Sequence, residues 1–236
     1  NKIIVFPQTI YYNLSKESSR KFYEESKKIY SSHKNLSIFA REKKSYDFLI
    51  NSYPNNFVYL VPDIVLGFNV GNMKYNRKDI LLCMRSDIEK KVQEKDEKIL
   101  MNSIKQKYPN ETIKRTDTVI DKNILQDDRY SEVKLKLEEF AKAKLVITDR
   151  LHGMVFAAIT NTPCIALGNS SGKVKGVYEW IKENKYIYYL DNITDITKVL
   201  DQLDINKKYK YQTTKIKKEF KPLLEKIKKE LNYGSK

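Results

Sequence analysis

Residues 145–153 read Leu-Val-Ile-Thr-Asp-Arg-Leu-His-Gly: four strand-forming residues, then a polar turn carrying Asp149, Arg150 and His152. From Gly153 the chain continues through small and apolar residues to Thr160, which predicts a buried helix over 153–160. Pro163–Leu167 is then another short apolar strand. A strand, a tight polar turn, a buried helix and a second buried strand form a parallel βαβ unit. In open α/β sheets, ligands bind beyond the carboxyl ends of the strands. The turn at 149–152 therefore puts a fixed cation, an imidazole and a helix N-terminus on the ligand side. That set suits binding of a phosphate or carboxylate together with proton transfer. The alternative is structural: Arg150 paired with Asp149, and His152 a packed turn residue.

Outward from this unit the same alternation continues. Toward the N-terminus, Ile3–Ile10 reads as a strand, 16–31 as a helix, Leu36–Ala40 as a strand and 43–52 as a helix. Phe57–Val61 and Ile64–Leu66 form a third apolar segment around Pro62. Residues 67–78 lose the periodicity and carry two glycines, which predicts a linker between lobes. Asp79–Met84 reads as a strand, and Ser86-Asp-Ile-Glu89 as a capping box opening a helix toward 107. Thr116–Ile120 is an expected strand, and 131–144 a helix with Val133, Leu137, Phe140 and Ala141 on one face. Beyond Leu167, a helix near 174–184 leads to the strand Tyr186–Leu190, and two helices finish the chain. In the last, Ile216, Phe220, Leu223, Leu224, Ile227 and Leu231 make one apolar stripe. Two α/β lobes are thus expected, over 1–70 and 79–236, with a crevice between them. The first supplies about three strands where ~5–6 are usual, so it is expected to be reduced or to continue upstream.

The 236 residues, 41% hydrophobic and 32% charged, suit one large or two small globular domains. No apolar run approaches the ~18–20 residues that span a bilayer. Lysine and arginine number 45 against 30 acidic residues, a formal +15 that points to anionic partners or simply to solvated helix faces. No nucleic-acid-binding signature accompanies the charge, so nucleic acid is not expected. Cys83 and Cys164 each sit in an apolar run, which predicts buried free thiols, a reducing cytosol and no zinc site.

The block from Thr148 to Leu167 resembles the signature segment of the polysaccharide pyruvyl transferase family. Val5-Phe-Pro-Gln-Thr-Ile10, Ala40-Arg-Glu-Lys-Lys-Ser-Tyr46, Pro62-Asp63, Leu81–Asp87 and Asn169–Lys173 resemble further family segments in the same order, with Gly168 where an aspartate is usual. The resemblance covers residues 1 to about 190. It implies two Rossmann-like lobes like those of GT-B glycosyltransferases, with the N-terminal lobe incomplete. It also implies transfer of pyruvate from phosphoenolpyruvate onto two hydroxyls of a sugar in a cell-surface polysaccharide or its lipid-linked precursor, giving a ketal. Phosphoenolpyruvate is then the donor substrate, with no cofactor and no metal. Under it, Arg150 and Arg85 hold the donor's phosphate and carboxylate, and His152 is the general acid and base. Gln8, Arg41, Ser45, Asp149, Asn169 and Lys173 become substrate-binding candidates. Structural alternatives stay open: Arg85 paired with Asp87, Arg41 with Glu42 or Asp47, Gln8 satisfying a strand end, Lys173 solvated. The implied location is cytoplasmic, or peripheral on the anionic inner face of the plasma membrane. Two other functions stand as alternatives. A nucleotide-sugar glycosyltransferase of the same fold loses ground because Glu179 and Glu183 stand only four apart. The other is a non-catalytic lobe that binds anionic glycans.

Overall fold

A computed structural model describes residues 2–71, 75–87 and 90–232. The chain divides into two compact units, residues 1–67 with 213–236, and residues 68–212. The first begins with β1 (Ile3–Gln8), α1 (Glu17–Ser32), β2 (Leu36–Ala40), α2 (Lys43–Ser52) and β3 (Phe57–Leu60). These strands form a parallel sheet in the order β1-β2-β3. Central β2 is buried throughout, and Leu36, Ile38, Ala40, Leu49 and Tyr53 form the core against Val5, Val58 and Leu60. Pro7 lies where the β1–β2 register shifts, between Val5 and Gln8. Proline has no N–H for the ladder, so the interruption falls on an edge strand, where it costs least.

The second unit holds β4 (Ile80–Cys83), α3 (Glu94–Lys107), β5 (Ile113–Thr116), α4 (Arg129–Lys142), β6 (Leu145–Thr148), α5 (Leu151–Ile159), β7 (Cys164–Leu167), α6 (Lys173–Ile181), β8 (Ile187–Leu190) and α7 (Ile196–Gln202). Its five parallel strands run in the order β5-β4-β6-β7-β8. All four residues of β4, β6 and β7 are buried, as continuous apolar runs in a two-sided parallel sheet require. From β4 the chain steps outward to β5. It then returns to the other side of β4 as β6 and continues the opposite way. The switch point therefore lies between the carboxyl ends of β4 and β6.

Several boundaries differ from the sequence expectation. The fifth strand ends at Thr116 instead of starting there. It is an edge strand with Lys114 and Arg115 exposed, and the Val119 amide donates to Asp117 Oδ1 at 3.1 Å, turning the chain away. The helix toward 107 starts at Glu94, where the Gln93 amide donates to Asp96 Oδ2 at 3.1 Å in a capping box of its own. The capping box expected at 86–89 falls partly on Ile88 and Glu89, outside the described residues, as do residues 72–74 of the expected linker. On α4, Phe140 and Ala141 are buried as expected, but Val133 is 53% exposed.

The chain ends with α8 (Thr213–Glu219) and α9 (Lys221–Asn232), which belong to the first unit, not to the second lobe as the sequence suggested. The apolar stripe explains the difference: Ile216, Phe220 and Leu223 are buried, and a Cβ added to Gly67 would stand 3.2 Å from the Phe220 ring. The expected single helix is broken before Pro222, which takes a first-turn position where its missing N–H is harmless. Leu224 and Leu231, on the same stripe, remain exposed.

Gly153 sets how closely α5 approaches the sheet. A Cβ there would collide with the Thr148 side chain and meet Cys83 Sγ at 3.2 Å. Gly153→Ala should therefore destabilise the protein by about 1–3 kcal/mol through overpacking, although alanine is the better helix former. Chemical denaturation checks this, and an unchanged or raised midpoint would count against so tight a seat for α5.

Candidate functional site

The carboxyl ends of β4 and β6 are fastened together by side chains. Cys83 and Thr148 are ladder partners, and the Thr148 hydroxyl donates to the Cys83 carbonyl at 2.7 Å. The same hydroxyl accepts the Arg150 amide at 3.0 Å, fixing the residue that caps α5. One residue on, the Arg85 amide donates to Asp149 Oδ1 at 2.8 Å. The two arginines just past these strands are thereby brought to one place. Asp149 is 0% exposed, Arg85 5% and Arg150 9%.

Carboxylates complete the cluster. Asp87 accepts from Arg85 through both oxygens, Nε–Oδ1 at 2.8 Å and Nη2–Oδ2 at 3.1 Å. Its Oδ2 also accepts Arg150 Nη1 at 2.6 Å, and Asp117 Oδ2 accepts Arg150 Nη2 at 2.7 Å. Burial works against the charge on Arg150, but the carboxylates of Asp117 and Asp87 outweigh it and its pKa rises. The sequence marks Asp87 only as a pairing partner and does not mark Asp117. A strand expected at 116–120 hides the fact that Asp117 stands immediately after one. The alternative pairing of Arg150 with Asp149 does not occur; that of Arg85 with Asp87 does.

His152 lies in the first turn of α5, half-buried, with its ring centroid 6.0 Å from that of Phe156. The expected helix start at Gly153 is corrected to Leu151: the Arg150 carbonyl accepts the Met154 amide at 3.2 Å, and Arg150 itself is extended. His152 therefore points with the helical period. Beyond β7, Asn169 donates to Ser171 Oγ at 3.0 Å, both buried. Gly172, in the left-handed region at φ 75°, lets the chain turn into α6, which Lys173 begins. Glu179 pairs on the surface with Lys182 at 2.9 Å. Cys83 and Cys164 are free and buried, and burial pushes the Cys83 thiol up to about 12.

The first unit gathers its own candidates at its strand ends. Arg41, after β2, donates through Nη1 to Asp63 at 2.7 Å and through Nε to the Thr9 hydroxyl at 2.9 Å, so its carboxylate partner is neither Glu42 nor Asp47. The Gln8 carbonyl accepts the Arg41 amide at 3.2 Å. Ser45 Oγ accepts the Ile10 amide at 2.7 Å and bonds Glu42.

A family model described as polysaccharide pyruvyl transferase matches residues 1–171. General stress protein 30 of Bacillus subtilis (strain 168) is 32% identical over 230 residues, covering 95% of this chain and 64% of that protein. Pyruvyl transferase 1 of Schizosaccharomyces pombe is 28% identical over 193 residues, covering 75% of this chain and 46% of that protein. The chain thus spans about half to two thirds of the length of these curated relatives. A functionally uncharacterised protein from Klebsiella pneumoniae superposes with a TM-score of 0.55 at 18% identity, over 80% of this chain and 63% of that one, a likeness of fold.

Asp149 makes the cluster sensitive to pH. Burial raises its pKa to about 6, against the opposing pull of the Arg85 amide and the Arg85 and Arg150 charges. Its Oδ2 is buried with no hydrogen-bond partner among the described residues. A carboxyl raised above its unfolded value of ~3.9 contributes stability that is fully present below that value and is lost as pH rises through about 6. Asp149→Asn keeps the acceptor for Arg85 and removes the titration. Relative to the parent, the variant should gain on the order of 2 kcal/mol in unfolding free energy between pH 4 and pH 7.5. Urea denaturation at both pH values measures it; parallel pH profiles for the two proteins would contradict it.

Proposed function

The chain belongs to the polysaccharide pyruvyl transferase family, and from that premise we propose that it carries the donor-binding part of an enzyme that moves pyruvate from phosphoenolpyruvate onto two hydroxyls of a saccharide. The observation that carries this is the pairing of Arg85 and Arg150 on one carboxylate, Asp87, at the switch point of the sheet. Two fixed guanidinium forks turned toward one anion suit a ligand with two anionic groups on adjacent positions. Phosphoenolpyruvate bears a phosphate and a carboxylate on C2.

The chemistry balances with acid–base steps alone. A proton is added at C3, leaving an oxocarbenium centre at C2. The first sugar hydroxyl adds there and gives up its proton. The C2–O bond to phosphate breaks, phosphate leaves with the electron pair, and the second hydroxyl closes the ketal. Of the two hydroxyl protons lost, one balances that added to C3 and one leaves on phosphate. Arg85 and Arg150 hold the donor's anions and stabilise the departing phosphate. His152, at the mouth of α5, delivers the proton to C3 and accepts one from a hydroxyl. Asp149 positions Arg85 through its backbone. Asn169 and Lys173 contribute from the loop beyond β7, and Gln8, Arg41 and Ser45 are the acceptor-side candidates. The acceptor is a polysaccharide or its lipid-linked precursor. For a lipid-linked acceptor, the formal +15 favours peripheral contact with an anionic membrane face, and no helix among the described residues is long and apolar enough to cross a membrane.

Asp87 occupies the fork that the donor needs, and at 43% side-chain exposure it has room to withdraw. Asp87→Asn should bind phosphoenolpyruvate roughly fivefold to thirtyfold tighter, since a competing charge-assisted pair worth ~1–2 kcal/mol is gone. Arg150→Ala should weaken the same binding at least about tenfold. His152→Ala should keep donor affinity within a few-fold and lose ~10²–10⁴ in turnover. Calorimetry with phosphoenolpyruvate and phosphate release with a saccharide acceptor read these out. Full turnover in His152→Ala, or donor affinity unchanged in Arg150→Ala, would overturn the roles.

A further inference from the structure

At the opposite, amino-terminal edge of the five-stranded sheet lies a cavity of about 530 Å³ that the proposed chemistry does not use. Arg77 precedes β4 and Lys144 precedes β6; with Lys207, Lys208 and the rings of Tyr75 and Tyr209 they line it. Four cations thus converge from three separate stretches of chain, and no aspartate or glutamate is among its lining residues.

Arg77 is the informative member. It is half-buried, and its Nη2 donates to the carbonyls of Thr160 at 3.2 Å and Asn161 at 2.7 Å, just past the end of α5. The guanidinium is therefore held in place, but only by neutral partners: among the described residues no carboxylate pairs with it. Burial accordingly lowers its pKa. A cation withdrawn from water without a counter-ion costs free energy that an anion would recover. Of the other cations, Lys144 pairs with Glu111, Lys207 lies 5.8 Å from the Tyr209 ring centroid, and Lys208 has no ion pair among the described residues. Tyr209 is braced by stacking on Tyr186 at 5.0 Å and by donating to the Asp204 carbonyl at 3.0 Å.

We propose that this cavity binds a phosphate-bearing ligand of the phosphate-ester or diphosphate class, separate from the arginine pair at the other end of the sheet. One fixed guanidinium and two lysines that pair with no carboxylate among the described residues exceed what a single carboxylate needs and match the charge of a diphosphate. The cavity's size fits a small anion with a short appendage better than a polymer, which would need an extended basic track.

Calorimetry of the full chain with inorganic pyrophosphate at low salt tests the site. Saturable binding is expected, weakened at least about tenfold by the double charge reversal Lys207→Glu/Lys208→Glu and also by Arg77→Gln. Both lysines are exposed, so the reversal leaves the fold intact. Arg150→Ala should bind pyrophosphate normally at this site, which separates the cavity from the donor site. Reversal of exposed Lys27 and Lys28 on α1 should change nothing. Sedimentation with phosphatidylglycerol vesicles and with phosphatidylcholine vesicles distinguishes the ligand's source. Pelleting with the anionic vesicles alone, competed by pyrophosphate, identifies a lipid headgroup; pyrophosphate binding without pelleting identifies a soluble phosphate. Absence of both, normal binding by the Lys207/Lys208 variant, or equal loss in the Lys27/Lys28 control overturns the proposal.

Discussion

The bond from the Arg85 amide to buried Asp149, just beyond the paired ends of β4 and β6, is the constraint on which the second unit's candidate site depends. Strands of four residues cannot by themselves fix the loops that leave them. Here the Thr148 hydroxyl closes the last rung on Cys83 and caps the turn into α5, while Asp149 takes hold of Arg85, two residues past the end of β4. Gly153 then lets α5 sit directly against Thr148. Strand register, turn and helix seat are thus set by three neighbouring residues, and the two arginines inherit their positions from them. A buried carboxyl with one oxygen unsatisfied among the described residues is a costly way to do this. It persists where the geometry it enforces is needed.

Much of this is legible in the sequence. Buried parallel strands announce themselves as short apolar runs, so Leu36–Ala40 and Leu145–Thr148 read with the same bounds the structure shows. Features that pairing decides are not legible in that way. The order β5-β4-β6 cannot be deduced from alternation, yet it turns Arg85 and Arg150 into neighbours. The edge strand at 113–116 carries Lys114 and Arg115, so its hydrophobicity is weak and the apolar residues after it draw the assignment downstream, concealing Asp117. The last helices show the same limit. Their stripe predicts burial but carries no record of which sheet it packs on, and it packs within the first unit.

The arginine pair poses an electrostatic problem that its carboxylates resolve. Two guanidinium groups sharing one carboxylate oxygen repel each other by roughly 3 kcal/mol at an effective dielectric of about 20. Burial adds a desolvation cost for each. Asp87 bridges both and Asp117 holds the far side of Arg150, so the forks stay charged and oriented without a ligand. Were Asp149 also ionised, it would add charge but keep an oxygen with no donor; burial instead favours its neutral form up to about pH 6. The cluster thus divides its acids by environment: Asp87 and Asp117 reach solvent and neutralise, and Asp149 is sealed and holds backbone.

An anion arriving at such a fork is exchanged for one already present, and this changes what its affinity measures. The arginines need not be desolvated or ordered at the moment of binding, because Asp87 has already fixed them. The net gain is only the difference between the incoming group and the displaced carboxylate. A single carboxylate ligand would exchange like for like and gain little. The proposed donor, with a phosphate beside a carboxylate, presents more acceptor oxygens and more charge than Asp87 can, and so would gain by displacing it. If the arginines hold the donor as proposed, the pairing of each with an aspartate, which at first sight suggests a merely structural role, would work as a filter: it would lower the affinity for every anion and discriminate in favour of those with two anionic groups.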